Sequence, residues 1–202
     1  MKRIFLILML AVVATAVSGQ SQNKYRLTED DYNITVEGTS SLHDWEMTAT
    51  DADGHVIFQI NNSAIVGISE INVEVKSGGI ISDKNLMEKK ASEALKADEY
   101  PLISFSLVDV VSFKNSSDTL KGEVSGTLEI AGIAKPVNIA YELMPLENNE
   151  IKVTGSTELL MSDYGIDPPT ALLGTIKTDD PVQVSFDTVW IPETTAVSKT
   201  FE

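Results

Sequence analysis

The 202-residue chain contains no cysteine. That excludes a disulfide framework, a thiolate nucleophile and lipid attachment at an N-terminal Cys. Only two histidines are present, His43 and His55, which argues against a structural zinc site. Basic residues are scarce: 15 Lys and Arg stand against 30 Asp and Glu, a net charge of −15. Such a balance opposes binding to nucleic acid and docking on anionic lipid headgroups, and it disfavours a polyanionic ligand. Aromatic residues make up 6% of the chain. There is no P-loop, GxGxxG, HExxH or GxSxG segment, so no cofactor is expected.

Long apolar runs are also missing, with one exception. Lys2-Arg3 precedes the unbroken run Ile4 to Val13, then Ala14-Thr15-Ala16 and Ser18-Gly19. This is a secretory signal peptide over residues 1–19, with cleavage after Ala16 or after Gly19. The 14 positions from Ile4 to Val17 fall short of the roughly 20 a spanning helix needs. No integral membrane segment is expected in the mature chain, and the destination is periplasmic or secreted. Loss of Lys2 and Arg3 leaves the mature chain more acidic still.

What the chain does have is alternation. Apolar residues occupy one parity in eight segments, around 33–36, 56–60, 71–75, 103–107, 124–130, 137–143, 151–159 and 182–187. Period two means one face buried and one face wet. Turn signals separate them: Asp53-Gly54, Ser77-Gly78-Gly79, Asn115 to Asp118 and Glu147-Asn148-Asn149. One helix is predicted over about 83–98, N-capped by Ser82 and ended by Tyr100-Pro101. Its stripe is Met87, Ala91, Ala94 and Leu95. A second irregular stretch, 167–174, reads as a loop or short helical insertion. The domain spans 20–192, and 193–202 is a polar tail. Eight antiparallel strands of this kind either close into a barrel, which removes exposed edges, or pack as a two-sheet sandwich; the barrel is favoured.

Three ordered segments carry a likeness to a known family. They are Met87 to Phe105 with its Tyr100-Pro101-Leu102-Ile103-Ser104-Phe105, the run Val124 to Val137 with Gly126, Gly132 and Lys135-Pro136-Val137, and Met161-Ser162-Asp163-Tyr164-Gly165-Ile166. Together they resemble the YceI-like domain over roughly residues 25–191. His43, read as part of an early strand, falls where that family often has a histidine. The resemblance implies an exported, antiparallel eight-stranded lipocalin-like barrel. It also implies that a polyisoprenoid or other long-chain amphiphile is held inside, with no enzymatic activity. Two departures stand out: Asp44-Trp45-Glu46-Met47-Thr48 after His43, and the 167–174 insertion.

Candidate ligand-binding residues follow from inward parity, the helix stripe and the motifs. They are Val56, Phe58, Val73, Met87, Leu95, Ile103, Phe105, Leu128, Ile130, Val137, Ile139, Tyr164, Val184 and Phe186. The competing reading for each is core filler, because protein interiors pack densely. Met161, Leu172 and Leu173 join Met87, Leu95 and Tyr164 as portal or docking residues. His43 and Trp45 are candidates for a rim that meets a head group. Ser40, His43 and Asp44 are too close in sequence to be presumed a triad. Asp51-x-Asp53-Gly54 lacks the glutamate a calcium loop needs, since position 62 is Asn. Asp163, Asp167, Asp179 and Asp180 read as a solvated acidic rim rather than a cation site. The alternative function is an envelope interaction module with a filled core and an acidic binding surface. The oligomeric state stays open, a homodimer being one option.

Overall fold

The structure is a computed structural model that describes residues 21–116, 119–171 and 173–193. The leader 1–19, Leu172 and tail residues 194–202 lie outside the described residues. The strands are β1 (Ser21–Ser40), β2 (Trp45–Ala49), β3 (Ala52–Asn61), β4 (Ala64–Lys76), β5 (Ile80–Ile81), β6 (Leu102–Ser116), β7 (Thr119–Ile130), β8 (Ile133–Pro145), β9 (Ile151–Leu160), β10 (Thr170–Ala171) and β11 (Ile176–Pro192), with one α-helix, α1 (Asn85–Ala94). All pairings are antiparallel, and β11 pairs with β1 from Tyr25↔Pro192 to Ser40↔Thr178. That last ladder closes the sheet into a barrel, so the sandwich alternative falls away.

Among the described residues ten strands make eight staves, and the two-residue β10 pairs only with β11. β2 and β3 lie end to end along β1: Gly38 faces Trp45, and Arg26 faces His55. β4 and β5 are likewise collinear on the far side. Each of the three neighbouring staves is broken at a similar height. β1 bulges between Leu27 and Tyr32, where the Thr28 hydroxyl donates to the Val189 carbonyl at 3.0 Å. The second stave breaks at Thr50-Asp51, where the Thr50 amide donates to Gly79 O and Asp51 O accepts from the Lys76 amide. The third breaks at a 3-10 turn, Ser77–Gly79. Ser77 is buried there; its hydroxyl donates to Tyr100 O at 2.7 Å and its amide to Pro101 O. Beyond these breaks Met47, Ala49 and Ile80 carry α1, which packs on them through Met87, Ala91 and Leu95.

Three sequence expectations need correction. Asp53-Gly54 is not a turn; both residues are extended in β3, opposite Glu74 and Val73. Glycine is needed there because a Cβ would come within 2.9 Å of Asn72 O and 3.1 Å of the Trp190 ring. The helix is shorter than 83–98: it starts at Asn85, with Lys84 at the cap position and no side-chain cap. Ser82 instead makes a local turn, its hydroxyl accepting from the Lys84 amide at 3.0 Å. The helix stops before Tyr100-Pro101 because Lys96 adopts a left-handed φ of 51°. Ala97 N then donates to Ser92 O and Lys96 N to Glu93 O, a Schellman closure. His43 lies in the β1–β2 loop rather than in a strand. In the 167–174 stretch, 167–169 is irregular and Thr170–Ala171 forms β10, which pairs with Lys177 and Ile176 of β11.

Why the barrel is hollow is visible in its glycines. A Cβ on Gly38 would strike the Trp45 ring at 2.3 Å, on Gly122 the Tyr141 ring at 2.7 Å, on Gly126 the Phe105 ring at 2.3 Å, and on Gly155 the Phe186 ring at 2.4 Å. Each of these rings sits close against bare backbone, in space a side chain at the glycine would take. Gly132 does the same for Tyr100 and also holds a φ of +78°, which only glycine adopts without strain. Two of the sequence motifs are thereby coupled: Tyr100 and Phe105 of one lie on Gly132 and Gly126 of the other. A Gly126→Ala variant is expected to lose about 1–3 kcal/mol in urea unfolding, because both the ring and Ser106 O at 2.6 Å must move. An unchanged midpoint would mean the ring has room elsewhere.

The opposite end is packed shut. Tyr25, Ile65, Leu120 and Ile151 are buried there among Phe58 and Leu143, which are each 1% exposed. Tyr25 and Phe58 meet edge to face, with centroids 5.2 Å apart at 79°.

Candidate functional site

The interior holds a cavity of about 500 Å³. A void that just admits one water measures about 10–15 Å³ on this scale. The wall residues show the same hollowness. Val73, Ile103, Ile130, Ile139, Val153 and Val184 point inward, yet each is only half-buried. In a filled core these positions would be fully enclosed. The walls are almost wholly aliphatic and aromatic, as a site for a hydrocarbon chain requires.

The structure brings nearly all the sequence candidates to this one surface. Val56, Phe58, Val73, Ile103, Phe105, Leu128, Ile130, Ile139, Val184 and Phe186 line it from the strands, Met87 and Leu95 from α1, and Met161 and Tyr164 from the turn after β9. Val137 does not line it. It is half-buried against the core, opposite Gly126, where the Phe105 ring takes the inner face. Leu173 is fully exposed in the β10–β11 turn and lines nothing. Leu172 lies outside the described residues. Several lining residues were missed. Ile34, Val36, Ile71, Val75, Tyr141 and Leu143 belong to the same alternating parities and could have been read from them. Trp190 extends the Val184–Phe186 parity by four residues. Met47, Ala49 and Ile80 form a separate small core under α1, on strands too short to show a period.

One end of the barrel carries the opening. Its rim is made by the β1–β2 loop with Ser40 and His43, by the first turns of α1 with Lys84, Leu86 and Lys90, and by Pro169, Thr170 and Thr178. Ser41 ties two of these rims together: its amide donates to Lys177 O and its hydroxyl accepts from the Lys177 amide. The Ser40 hydroxyl donates to His43 O at 2.7 Å and accepts from the His43 amide, so it serves the loop backbone. The His43 ring meets Asp44 O at 2.7 Å, and Trp45 donates its indole N–H to Thr39 O. This geometry is that of a braced turn, not of a nucleophile and its base.

The Met161–Tyr164 turn closes the neighbouring stave. Asp180 accepts from the Ser162 hydroxyl at 2.5 Å and its amide at 2.7 Å, which holds its carboxyl below the ordinary range. Asp179 accepts from the Thr39 hydroxyl, and Asp163 stands 4.0 Å from Lys135. Asp163, Asp179 and Asp180 are thus engaged separately; among the described residues, no three acidic or imidazole side chains converge on a metal-sized site.

Burial pushes the phenols of Tyr141 and Tyr164 up to about 12; the Asp163 carboxylate adds to the second. The neutral phenol is the form the fold prefers. This contribution to stability is intact below the ordinary value of 10.0 and is lost as pH rises through about 12. Alkaline titration is expected to show phenolate absorbance from these two residues appearing together with loss of the β circular dichroism signal. All tyrosines ionising near pH 10 with the fold intact would contradict the buried placement.

A family model for the YceI-like domain matches residues 21–190. Among solved structures, the chain is similar to Burkholderia cenocepacia BcnA, with a TM-score of 0.65 at 12% identity, covering 81% of this chain and 98% of that one. It is similar to a polyisoprenoid binding domain from Saccharophagus degradans, with a TM-score of 0.62 at 12% identity, covering 86% and 100%. It is also similar to the Campylobacter jejuni YceI protein, with a TM-score of 0.56 at 18% identity, covering 73% and 84%. At these identities the structural likenesses speak for the fold. No curated protein matches the sequence. The barrel closed by β11 on β1, the Tyr100 and Phe105 rings seated on Gly132 and Gly126, and the match across 21–190 lead to one assignment: the chain belongs to the YceI-like domain family.

Proposed function

We propose that the protein binds a single long apolar chain, a polyisoprenoid or similar amphiphile, in its barrel and acts as a non-enzymatic carrier or store. The observation that carries this reading is the 500 Å³ cavity walled by half-buried aliphatic side chains. Burying roughly 400 Å² of hydrocarbon at about 25 cal/mol per Å² corresponds to about 10 kcal/mol. That is enough to hold an amphiphile after the cost of ordering it. A filled-core interaction module has no use for such a space. The Saccharophagus degradans neighbour is a polyisoprenoid binding domain, which agrees with the chemistry of these walls. The apolar run at 4–17 supports export to the periplasm or beyond, with the leader removed.

The test is direct. Protein isolated from its own host is expected to release one long-chain lipid per barrel on organic extraction, detected by native mass spectrometry before and after. Intact mass of the same sample reads whether residues 1–16 or 1–19 have gone. Protein that emerges empty and takes up no isoprenoid in vitro would overturn the binding role.

A further inference from the structure

The charged residues at the cavity are of one sign. The chain has two acidic residues for each basic one. Yet the side chains of formal or potential charge that line the cavity are Lys84, Lys90 and His43, with no carboxylate among them. Lys84 precedes α1 at its cap position and Lys90 stands on the helix, where it borders the opening. Six described lysines pair with a carboxylate; Arg26, Lys84, Lys90, Lys96, Lys114 and Lys177 have no ion-pair partner among the described residues, and of these only Lys84 and Lys90 line the cavity. Asp44, Glu46 and Asp83 line an adjoining groove that Lys84 shares, but none of these three carboxylates lines the cavity. A lysine stem lies along apolar surface while its ammonium reaches water. Lys84 is exposed and Lys90 half-buried, which suits that posture.

We propose that Lys84 and Lys90 form a head-group site that selects an amphiphile ending in a phosphate or carboxylate over the same chain ending in a neutral hydroxyl. This rests on the reading of the cavity as a lipid site and adds the charge of the ligand. The tail occupies the lumen, which fixes the head at the opening between α1 and the β1–β2 loop. Two unpaired ammonium groups then meet an anion without first breaking an ion pair. Net acidity elsewhere on the surface does not oppose this, because at physiological salt a charge more than about 8 Å away is largely screened.

The experiment is calorimetric titration of the mature chain, wild type and Lys84→Gln/Lys90→Gln, with geranylgeranyl phosphate, geranylgeraniol and inorganic phosphate. At physiological salt the wild type is expected to bind the phosphate ester about threefold to tenfold more tightly than the alcohol, the range for two exposed charge contacts. In the double variant the ratio falls to about one, through loss of affinity for the ester. Equal affinity of wild type for ester and alcohol, or a preference that survives in the variant, overturns the head-group site and leaves lipid binding standing. Inorganic phosphate bound as tightly as the ester also overturns it, because the anion would then be held without the tail. Failure to bind either isoprenoid removes the lipid reading itself. Both lysines are outside the packed core, so the variant folds if its melting curve overlays that of wild type.

Discussion

A Val184→Trp substitution is expected to leave the barrel as stable as wild type, or more so, while reducing uptake of an isoprenoid chain by about tenfold or more. Val184 is on β11, paired with Val36 on one side and Thr157 on the other, and its side chain faces the cavity. In a solid interior, adding an indole in place of an isopropyl group forces neighbours off their rotamers and costs about 1–3 kcal/mol or more. Here the added ring enters empty space and gains dispersion contacts on its faces. The volume it takes is the volume the ligand needs, and a tenfold loss of affinity corresponds to about 1.4 kcal/mol. Stability and binding therefore move in different directions. Thermal unfolding and isoprenoid titration of the same variant read both. A Val184→Trp protein that is several kcal/mol less stable would show that the walls meet across the lumen.

Phe58→Ala is expected to be the most damaging single truncation, losing about 3–5 kcal/mol in denaturant unfolding. Phe58 is 1% exposed and stands edge to face with Tyr25 at the sealed end, where Ile65, Leu120 and Ile151 complete the packing. Phe58 also floors the cavity, so its removal strips packing from Tyr25 and opens the sealed end to the lumen. Val184→Ala, by comparison, removes methyl groups that already border a void, so its cost is expected to stay under about 1 kcal/mol. The contrast between the two is the prediction. Similar losses at both sites would mean that the interior is packed evenly from end to end.

Burial and topology also explain which parts of the protein were legible beforehand. The strand parities were plain because one face of each stave meets hydrocarbon or cavity and the other meets water. Ile71, Val73 and Val75, or Val137, Ile139 and Tyr141, could hardly be arranged otherwise. The collinear breaks were not legible. Ser77-Gly78-Gly79 reads as a turn between separate strands, whereas it only interrupts one long stave, as Thr50-Asp51 interrupts its neighbour. A glycine next to an aspartate reads as a turn by local chemistry, yet Gly54 is required by a ring that comes from Trp190, far along the chain. Val137 shares the parity of the lining residues and still misses the cavity, because Phe105 from a different strand covers that stretch of wall. The cap of α1 failed for a related reason: Ser82 is placed by its own turn, and the helix is held by docking on Met47, Ala49 and Ile80.

By itself the sequence determined that the chain is all-β with a single short helix, that its function must be sought without cysteine chemistry or a phosphate-binding loop, and that its inner surface is aliphatic. Those properties follow from composition and from period-two patterning, which are local. Hollowness was decided only by the tertiary structure. Whether inward-facing side chains touch across a barrel depends on where rings from distant strands come to rest. Here the rings of Trp45, Phe105, Tyr141 and Phe186 lie on glycines of neighbouring staves, and the middle of the barrel is left open.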